Sequence, residues 1–273
     1  MASPTLLCAF LIGWTFGGSA CGPAATTRSG PSELLVFAAA SLADVLGEVG
    51  KAFEKQSTAD LVLNLNGSNV LVQQILATSK GDVFMSADQE WMDVVERAGH
   101  VEAGTRRPFL SNSLSVIAPL GSSWEVDAPA DLCRLNFRFL VLGDPEAVPA
   151  GRYARQWLQT LACQDRSLWE TVAERVSPAP DVRAALGQVE AAEGVLGIVY
   201  QSDYAAARDR VRLLYAVSAD QGPPVRYAVA RLQGSSEPLA AQSFLEFLFS
   251  DAARTLFERH GFLLVEDELV NEN

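Results

Sequence analysis

Histidine is almost missing from this chain of 273 residues: His100 and His260 are the only two. They lie far from each other and from any cysteine at a zinc spacing, so no metal-ligand pattern forms. Basic charge is also scarce. Lys and Arg total 21 against 33 Asp and Glu, a net charge of −12, and Arg106-Arg107 is an isolated pair while Asp209 interrupts Arg208, Arg210 and Arg212. A protein that grips phosphate backbones does so with clustered cations, so nucleic acid is not an expected partner. No fixed period runs through the sequence, which excludes collagen, coiled coils and repeat arrays. What is present is 49% hydrophobic residues, enough for two buried cores at roughly 100–200 residues per domain.

The first 27 residues carry no charged side chain, and an apolar stretch from Leu6 to Phe16 is followed by the small residues Gly17, Gly18, Ser19 and Ala20. The stretch is shorter than the ~20 residues of a membrane-spanning helix, and it reads as an export signal over 1–21. Cys21 after Gly18-Ser19-Ala20 resembles a lipobox, with Gly18 where a leucine is usual; lipidation of Cys21 and simple cleavage both stay open. Residues 22–32 are small and polar, as in a flexible tether. Beyond the signal no apolar run is long enough to span a bilayer. Cys8 leaves with the signal, and Cys133 and Cys163 remain. They are expected as independent buried thiols, with one disulfide as the alternative in an oxidising compartment.

From Glu33 onward, short apolar β-type runs alternate with helical periodicity. Leu34 to Phe37, Leu61 to Leu65 and Asp82 to Met85 read as strands. Helices follow each, carrying Leu42, Val45, Leu46, Val49 and Phe53, then Leu71, Val72, Ile75 and Leu76, then Trp91 to Ala98. A second set has strands at Ser113–Ala118, Phe137–Leu142, Val195–Tyr200, Val211–Tyr215 and Val225–Leu232, with helices at Arg152–Ala162, from Asp181 to Gly194, and over Leu239–His260. This alternation predicts an α/β protein of two Rossmann-like lobes. Lobe I is assigned to 33–112 plus 227–273 and lobe II to 113–226. The chain crosses between them near Ser111–Val116 and Arg226–Ala230, a two-strand hinge beside a cleft.

Ligands of open α/β sheets bind beyond the carboxyl ends of the strands, which directs attention to the strand-to-helix turns. Ser41, with Asp44 three residues on, is close to a capping box. Ser68 lies in Asn66-Gly67-Ser68-Asn69, again a hydroxyl at a helix start. Pro149-Ala150-Gly151 and Asp181-Val182 offer backbone N–H groups. Helix starts of this kind hold small anions without a formal positive charge, although Ser and Asn are also ordinary N-caps. Tyr200 closes a strand. Asp82, Ser86 and Asp88 read as capping and turn residues.

The segments Val36-Phe37-Ala38-Ala39-Ala40-Ser41-Leu42, Asp82 to Asp88, Gly143 to Gly151 with Tyr153, Val182 to Leu186, Leu196 to Tyr200 with Ser202-Asp203, and Phe257 to Phe262 resemble, in this order, the periplasmic molybdate-binding proteins of ABC transporters. The resemblance covers about residues 33–263. It implies a type II periplasmic-binding-protein fold and a receptor that captures molybdate, and tungstate with it, between two lobes for a membrane ABC permease. Carried over by motif, the oxyanion contacts fall on the hydroxyls of Ser41 and Ser68, the backbone at Ala150 and Val182, and the phenol of Tyr200. Asn69 stands where that family commonly has a second serine. The implied protein is a monomer in the periplasm or on the outer face of the cytoplasmic membrane, with no cofactor and no direct metal ligand; the metal enters only inside its oxyanion.

Three other readings stand beside this one, among them an extracytoplasmic sensor or scaffold without transport. The same donors would hold sulfate or another tetrahedral oxyanion. An enzyme using Ser41 or Ser68 as nucleophile needs a base within hydrogen-bond reach and a Gly-x-Ser-x-Gly turn; no such turn surrounds either serine, so no catalytic residue is assigned.

Overall fold

A computed structural model describes residues 32–265. The export signal, the candidate lipidation site Cys21 and nearly all of the tether lie outside the described residues. In chain order the elements are β1 (Ser32–Ala39), α1 (Ala43–Glu54), β2 (Ala59–Asn66), α2 (Ser68–Thr78), β3 (Val83–Ser86), α3 (Gln89–Arg97), β4 (Arg107–Asn112), β5 (Leu114–Pro119), β6 (Phe139–Gly143), α4 (Pro149–Thr160), β7 (Ala162–Cys163), β8 (Arg166–Ser167), α5 (Leu168–Val172), β9 (Val176–Ala179), α6 (Val182–Ala191), β10 (Val195–Tyr200), α7 (Gln201–Ala207), β11 (Val211–Ala216), β12 (Val225–Arg231), α8 (Pro238–Leu248), α9 (Asp251–Arg259) and β13 (Leu263–Leu264).

Two sheets organise these elements. The first has the order β13-β4-β12-β3-β1-β2 and the second β11-β5-β10-β6-β9. In the first, β1 runs parallel to β2 and β3, and β12 returns antiparallel between β3 and β4. The central β1 is buried on both faces over most of its length, as a run of Leu, Val, Phe and Ala requires. The edge strand β2 alternates in burial. Helix α1 turns Val45, Leu46, Val49 and Phe53 inward, and Phe53 meets Phe244 of α8 edge to face with ring centres 5.1 Å apart. On the opposite face Leu71, Val72 and Ile75 of α2 join Met92 and Val95 of α3 around Phe37 and Phe84.

The second sheet packs against α4, α6 and α7. Trp157 of α4 is fully buried there and stacks on Tyr215 of β11, ring centres 6.4 Å apart. A side feature of this lobe is the disulfide between Cys133 and Cys163, with Cα atoms 5.8 Å apart. It corrects the expectation of two independent thiols: the β7–β8 hairpin brings Cys163 beside the short 3₁₀ turn Pro129–Arg134 that carries Cys133.

The first passage between the sheets is the single residue Ser113. The second is 217–224, ahead of the expected Arg226–Ala230, because the whole of β12 pairs with β3 and β4 inside the first sheet. Three further differences have local causes. The helical stretch after Leu239 divides at Phe249-Ser250, where Ser250 accepts the N–H of Ala253 as a new N-cap. Strand β4 escaped the hydrophobic pattern because Arg107 and Pro108 open it. Strand β9 contains Pro178, and as the outermost strand of its sheet it tolerates the missing donor.

Candidate functional site

The carboxyl ends of β1, β2, β3, β6, β9 and β10 converge on one small cavity. Its lining includes Ser41, Ser68, Ala150, Val182 and Tyr200, together with Ala39, Ala40, Gly67, Ala87, Val148, Pro149 and Asp181. All five residues singled out from the sequence therefore meet at one place. Ser41 and Ser68 come from the first sheet, and Ala150, Val182 and Tyr200 from the second. The lining contains no Lys, Arg or His.

The two serines do not cap their helices. Ser41 sits inside a 3₁₀ turn, Ala40–Leu42, that leads into α1, and no side chain caps that turn or that helix. Asp44, the expected partner of a capping box, instead pairs with Arg183 of the other lobe at 2.5 Å. Ser68 is the first residue of α2 rather than the residue before it, and its Oγ accepts the N–H of Ala87 at 3.1 Å. Both side chains are buried, and neither hydroxyl is spent on a helix end.

The second lobe contributes helix starts. Asp181 caps α6 by accepting from Arg183 N and Ala184 N at 2.8 and 2.9 Å, which leaves the N–H of Val182 without an acceptor among the described residues. At α4 the cap is Val148, which has no side-chain acceptor, and the N–H of Ala150 is likewise unpaired among the described residues. Gly151 sets that helix against β6: a Cβ there would lie 1.9 Å from the carbonyl oxygen of Gly143, so only glycine allows the approach.

Tyr200 completes the lining. It is fully buried, and its hydroxyl has no hydrogen-bond partner among the described residues, an arrangement that costs free energy unless something in the cavity accepts its proton. Burial above all, then Tyr227, Tyr153, Asp88 and Asp203, push its pKa well above the ordinary phenol value, so it stays neutral and remains a donor. The phenol of Tyr153, pushed up to about 12 chiefly by burial, is neutral as well.

Positive charge stands outside the lining, and two guanidiniums, those of Arg183 and Arg152, bridge the lobes. Arg183 pairs with Asp203 at 2.8 Å in its own lobe and with Asp44 across the cleft, and it reaches the carbonyl of Ser41 at 3.5 Å. On the other side Arg152 pairs with Asp88 and Glu90, while Trp91 Nε1 donates to the carbonyl of Ala147 at 2.8 Å. Asp88 thus joins two roles, capping α3 through Trp91 N at 2.9 Å and crossing the cleft. Asp82 and Ser86 make turn contacts: Asp82 accepts from Leu35 N and Ser236 N, and Ser86 Oγ from Asp88 N. Sequence reasoning assigned no role to Arg152, Arg183, Asn112 or Tyr227. Their distant partners, Asp88 for Arg152, Asp44 and Ser41 for Arg183, Ser202 for Asn112 and Ser41 for Tyr227, lie 64 to 186 residues away, and no local spacing marks them.

Among the described residues neither serine oxygen contacts a histidine or a carboxylate; Ser41 Oγ meets the Tyr227 hydroxyl and Ser68 Oγ the Ala87 amide. What the arrangement supplies is a set of neutral donors aimed at one point, two of them at the positive ends of helices, which suits a small dehydrated anion.

Residues 34–263 match the family model described as bacterial extracellular solute-binding protein. The chain is 36% identical over 236 residues to the molybdate-binding protein ModA of Escherichia coli (strain K12), covering 85% of this chain and 89% of that one. It is 34% identical over 235 residues to the protein of the same name from Haemophilus influenzae, covering 85% and 90%. The solved structure of the Azotobacter vinelandii periplasmic molybdate-binding protein superposes with a TM-score of 0.74, covering 85% of this chain and 100% of that chain at 21% identity, a likeness of fold.

Proposed function

The chain belongs to the bacterial extracellular solute-binding proteins, and from that premise we propose that it captures molybdate, and tungstate with it, outside the cytoplasmic membrane and hands it to an ABC permease. The observation that carries this reading is the buried Tyr200 hydroxyl, left without a partner among the described residues at a cavity also lined by the hydroxyl-bearing Ser41 and Ser68 and by Ala150 and Val182 at helix starts. A tetrahedral dianion offers four oxygens, and the hydroxyls of Ser41, Ser68 and Tyr200 with the N–H groups of Ala150 and Val182 surround it. A buried doubly charged ion must exchange its water for charge-assisted hydrogen bonds, and five such donors from two lobes meet that need only when the lobes close.

The absence of a cation in the lining has a use in delivery. Neutral donors divided between two lobes release their hold together when a permease separates the lobes, with no ion pair left behind. The −12 net charge gives no long-range attraction for an anion, so selectivity rests on cavity size and donor geometry. We further assign the protein to a monomeric, exported form; the mass of the mature amino terminus distinguishes lipidation at Cys21 from simple cleavage.

Calorimetric titration of the mature protein with molybdate, tungstate, sulfate and phosphate tests the reading. Tight binding of the two larger anions is expected. Tyr200→Phe should weaken it by about tenfold or more, the value of a hydrogen bond to a charged group, without lowering the thermal midpoint, because the hydroxyl it removes has no protein partner. Ser41→Ala should weaken it similarly. Equal affinity for sulfate would widen the assignment to tetrahedral oxyanions in general, and no binding of any of the four would refute it.

A further inference from the structure

A hydrogen-bond chain leads from the first inter-sheet passage to the cavity, and its direction can be worked out. Asn112 is the last residue of β4. Its Oδ1 accepts the N–H of Ser113 at 3.0 Å, which fixes the amide so that Nδ2 faces the other way. Nδ2 donates to Ser202 Oγ at 2.8 Å and reaches the Tyr227 hydroxyl at 3.5 Å. An amide nitrogen can only donate, so at that contact the phenol oxygen accepts. The phenol has one proton of its own, and Ser41 Oγ lies 2.9 Å away. Among the described residues Ser41 is the one partner able to take that proton. Having accepted there, Ser41 must place its own proton elsewhere, and Tyr227 is its hydroxyl's one partner among the described residues; the open direction is the cavity.

The surroundings hold Tyr227 in this role. It is fully buried, its ring 5.9 Å from that of Tyr200 and 5.7 Å from that of Phe262. Burial first, and then the Asp203 carboxylate, keep the phenol protonated.

We propose that Tyr227 is a positioning residue that makes Ser41 a donor into the cavity and so favours fully deprotonated oxyanions over protonated ones. The inference rests on the oxyanion-receptor reading. Molybdate presents four acceptor oxygens. Inorganic phosphate at neutral pH carries at least one proton and needs an acceptor for it. To serve as that acceptor, Ser41 would have to turn its own proton away from the ligand, and Tyr227, already accepting from Asn112 and donating to Ser41, opposes the turn. A donor left unpaired in a buried site costs more than an ordinary hydrogen bond gains.

The test is a double-mutant cycle on the mature protein with molybdate as the probe, using Tyr227→Phe, Ser41→Ala and the pair, with phosphate measured by competition. Tyr227→Phe should weaken molybdate about tenfold and narrow the molybdate-to-phosphate ratio. In the Ser41→Ala background the same change should alter molybdate affinity less than about twofold, because a residue that acts through another has nothing to act on once that partner is gone. Additive losses, or equal losses for molybdate and phosphate, would show a merely structural residue and overturn the proposal, as would unchanged molybdate binding in Tyr227→Phe. Thermal midpoints separate loss of fold from loss of affinity; should Tyr227→Phe melt early, Asn112→Leu, which frees the phenol to turn, carries the same expected narrowing of the ratio. If the unaltered protein binds no molybdate, the receptor reading fails and the inference with it; if it binds tightly while the cycle is additive, the inference alone fails.

Discussion

The two lobes bring different chemistry to the same cavity. The first offers serine hydroxyls, Ser41 and Ser68, which rotate and must be aimed by neighbours. The second offers the backbone N–H groups of Ala150 and Val182, fixed by their helices, and one rigid phenol. The lobes also differ in how they are held. The second is cross-linked by Cys133–Cys163 and pins α4 to β6 through Gly151, whereas the described part of the first relies on its aromatic core around Phe53, Phe244 and Phe257. The lobe whose donors cannot adjust is thus the one with the added constraints, and the lobe with adjustable donors does without them.

Four variants put that contrast to the test. The largest effect is expected from replacing both cysteines by serine. The cross-link closes a loop of sequence separation 30, so its loss should cost about 3–4 kcal/mol in the chain-entropy account. Hydrogen exchange should accelerate in β6, α4 and β9 and leave β1–β3 unchanged; equal acceleration in both lobes would mean that they unfold as one unit and erase the contrast.

A smaller and more discriminating effect comes from two glycines. Gly151→Ala drives a methyl into the Gly143 carbonyl within one lobe, and overpacking of this kind costs roughly 1–3 kcal/mol. Gly67→Ala is different: its Cβ would come within 2.6 Å of the movable Asn69 side chain and 3.0 Å of the Pro180 carbonyl on the facing lobe. The first should lower both the thermal midpoint and molybdate affinity, the second affinity alone. A lowered midpoint in Gly67→Ala would show that this approach matters to folding as well as to closure.

The last test concerns Asp203, a fully buried carboxylate of the second lobe whose pKa is pushed up from 3.8 to about 7, chiefly by burial and against the pull of Arg183. A raised folded-state value means that the folded protein holds the proton more tightly than the unfolded chain. This group's contribution to stability is therefore complete below 3.8 and is lost as pH rises through about 7. Urea midpoints across that window should show the slope, and Asp203→Asn should flatten it; an unchanged slope would assign it to other groups.

Much of this architecture could be read from the residues alone, because period and burial agree in the central elements: Leu34–Phe37 and Val195–Tyr200 can only be buried strands, and Val45, Leu46, Val49 and Phe53 only one face of a helix. The turns that carry Ser41, Ser68, Ala150, Val182 and Tyr200 follow from the rule that ligands sit past strand ends. What stayed hidden depends on distance along the chain. Asn112 gives no sign of meeting Ser202 and Tyr227, 90 and 115 residues on. Nor do Cys133 and Cys163 declare their pairing before the β7–β8 hairpin is known. Local spacing also misjudged the serines as caps, because Ser41 and Asp44 have the interval of a capping box while the backbone there is already in a 3₁₀ turn.

The two passages between the sheets are unequal, and this has a mechanical consequence. On one side Asn112 and Leu114 belong to different sheets with only Ser113 between them, and the carbonyl of Ser113 is held by Gln201 N at 2.8 Å. On the other, the chain leaves beside Leu114, where Val217 N donates to the Leu114 carbonyl at 2.9 Å, loops out over 218–224 and returns at Val225 opposite Asn112. One connection is a single residue and the other a loop, so any relative movement of the two sheets would turn at Ser113 while the longer strap takes up the change in path. Two bodies joined this way would turn as a door does on a single pin. Lengthening the strap by a few residues should cost little, since loop entropy grows slowly with length, whereas a single residue inserted beside Ser113 would move the pin itself and put the two sets of donors out of line.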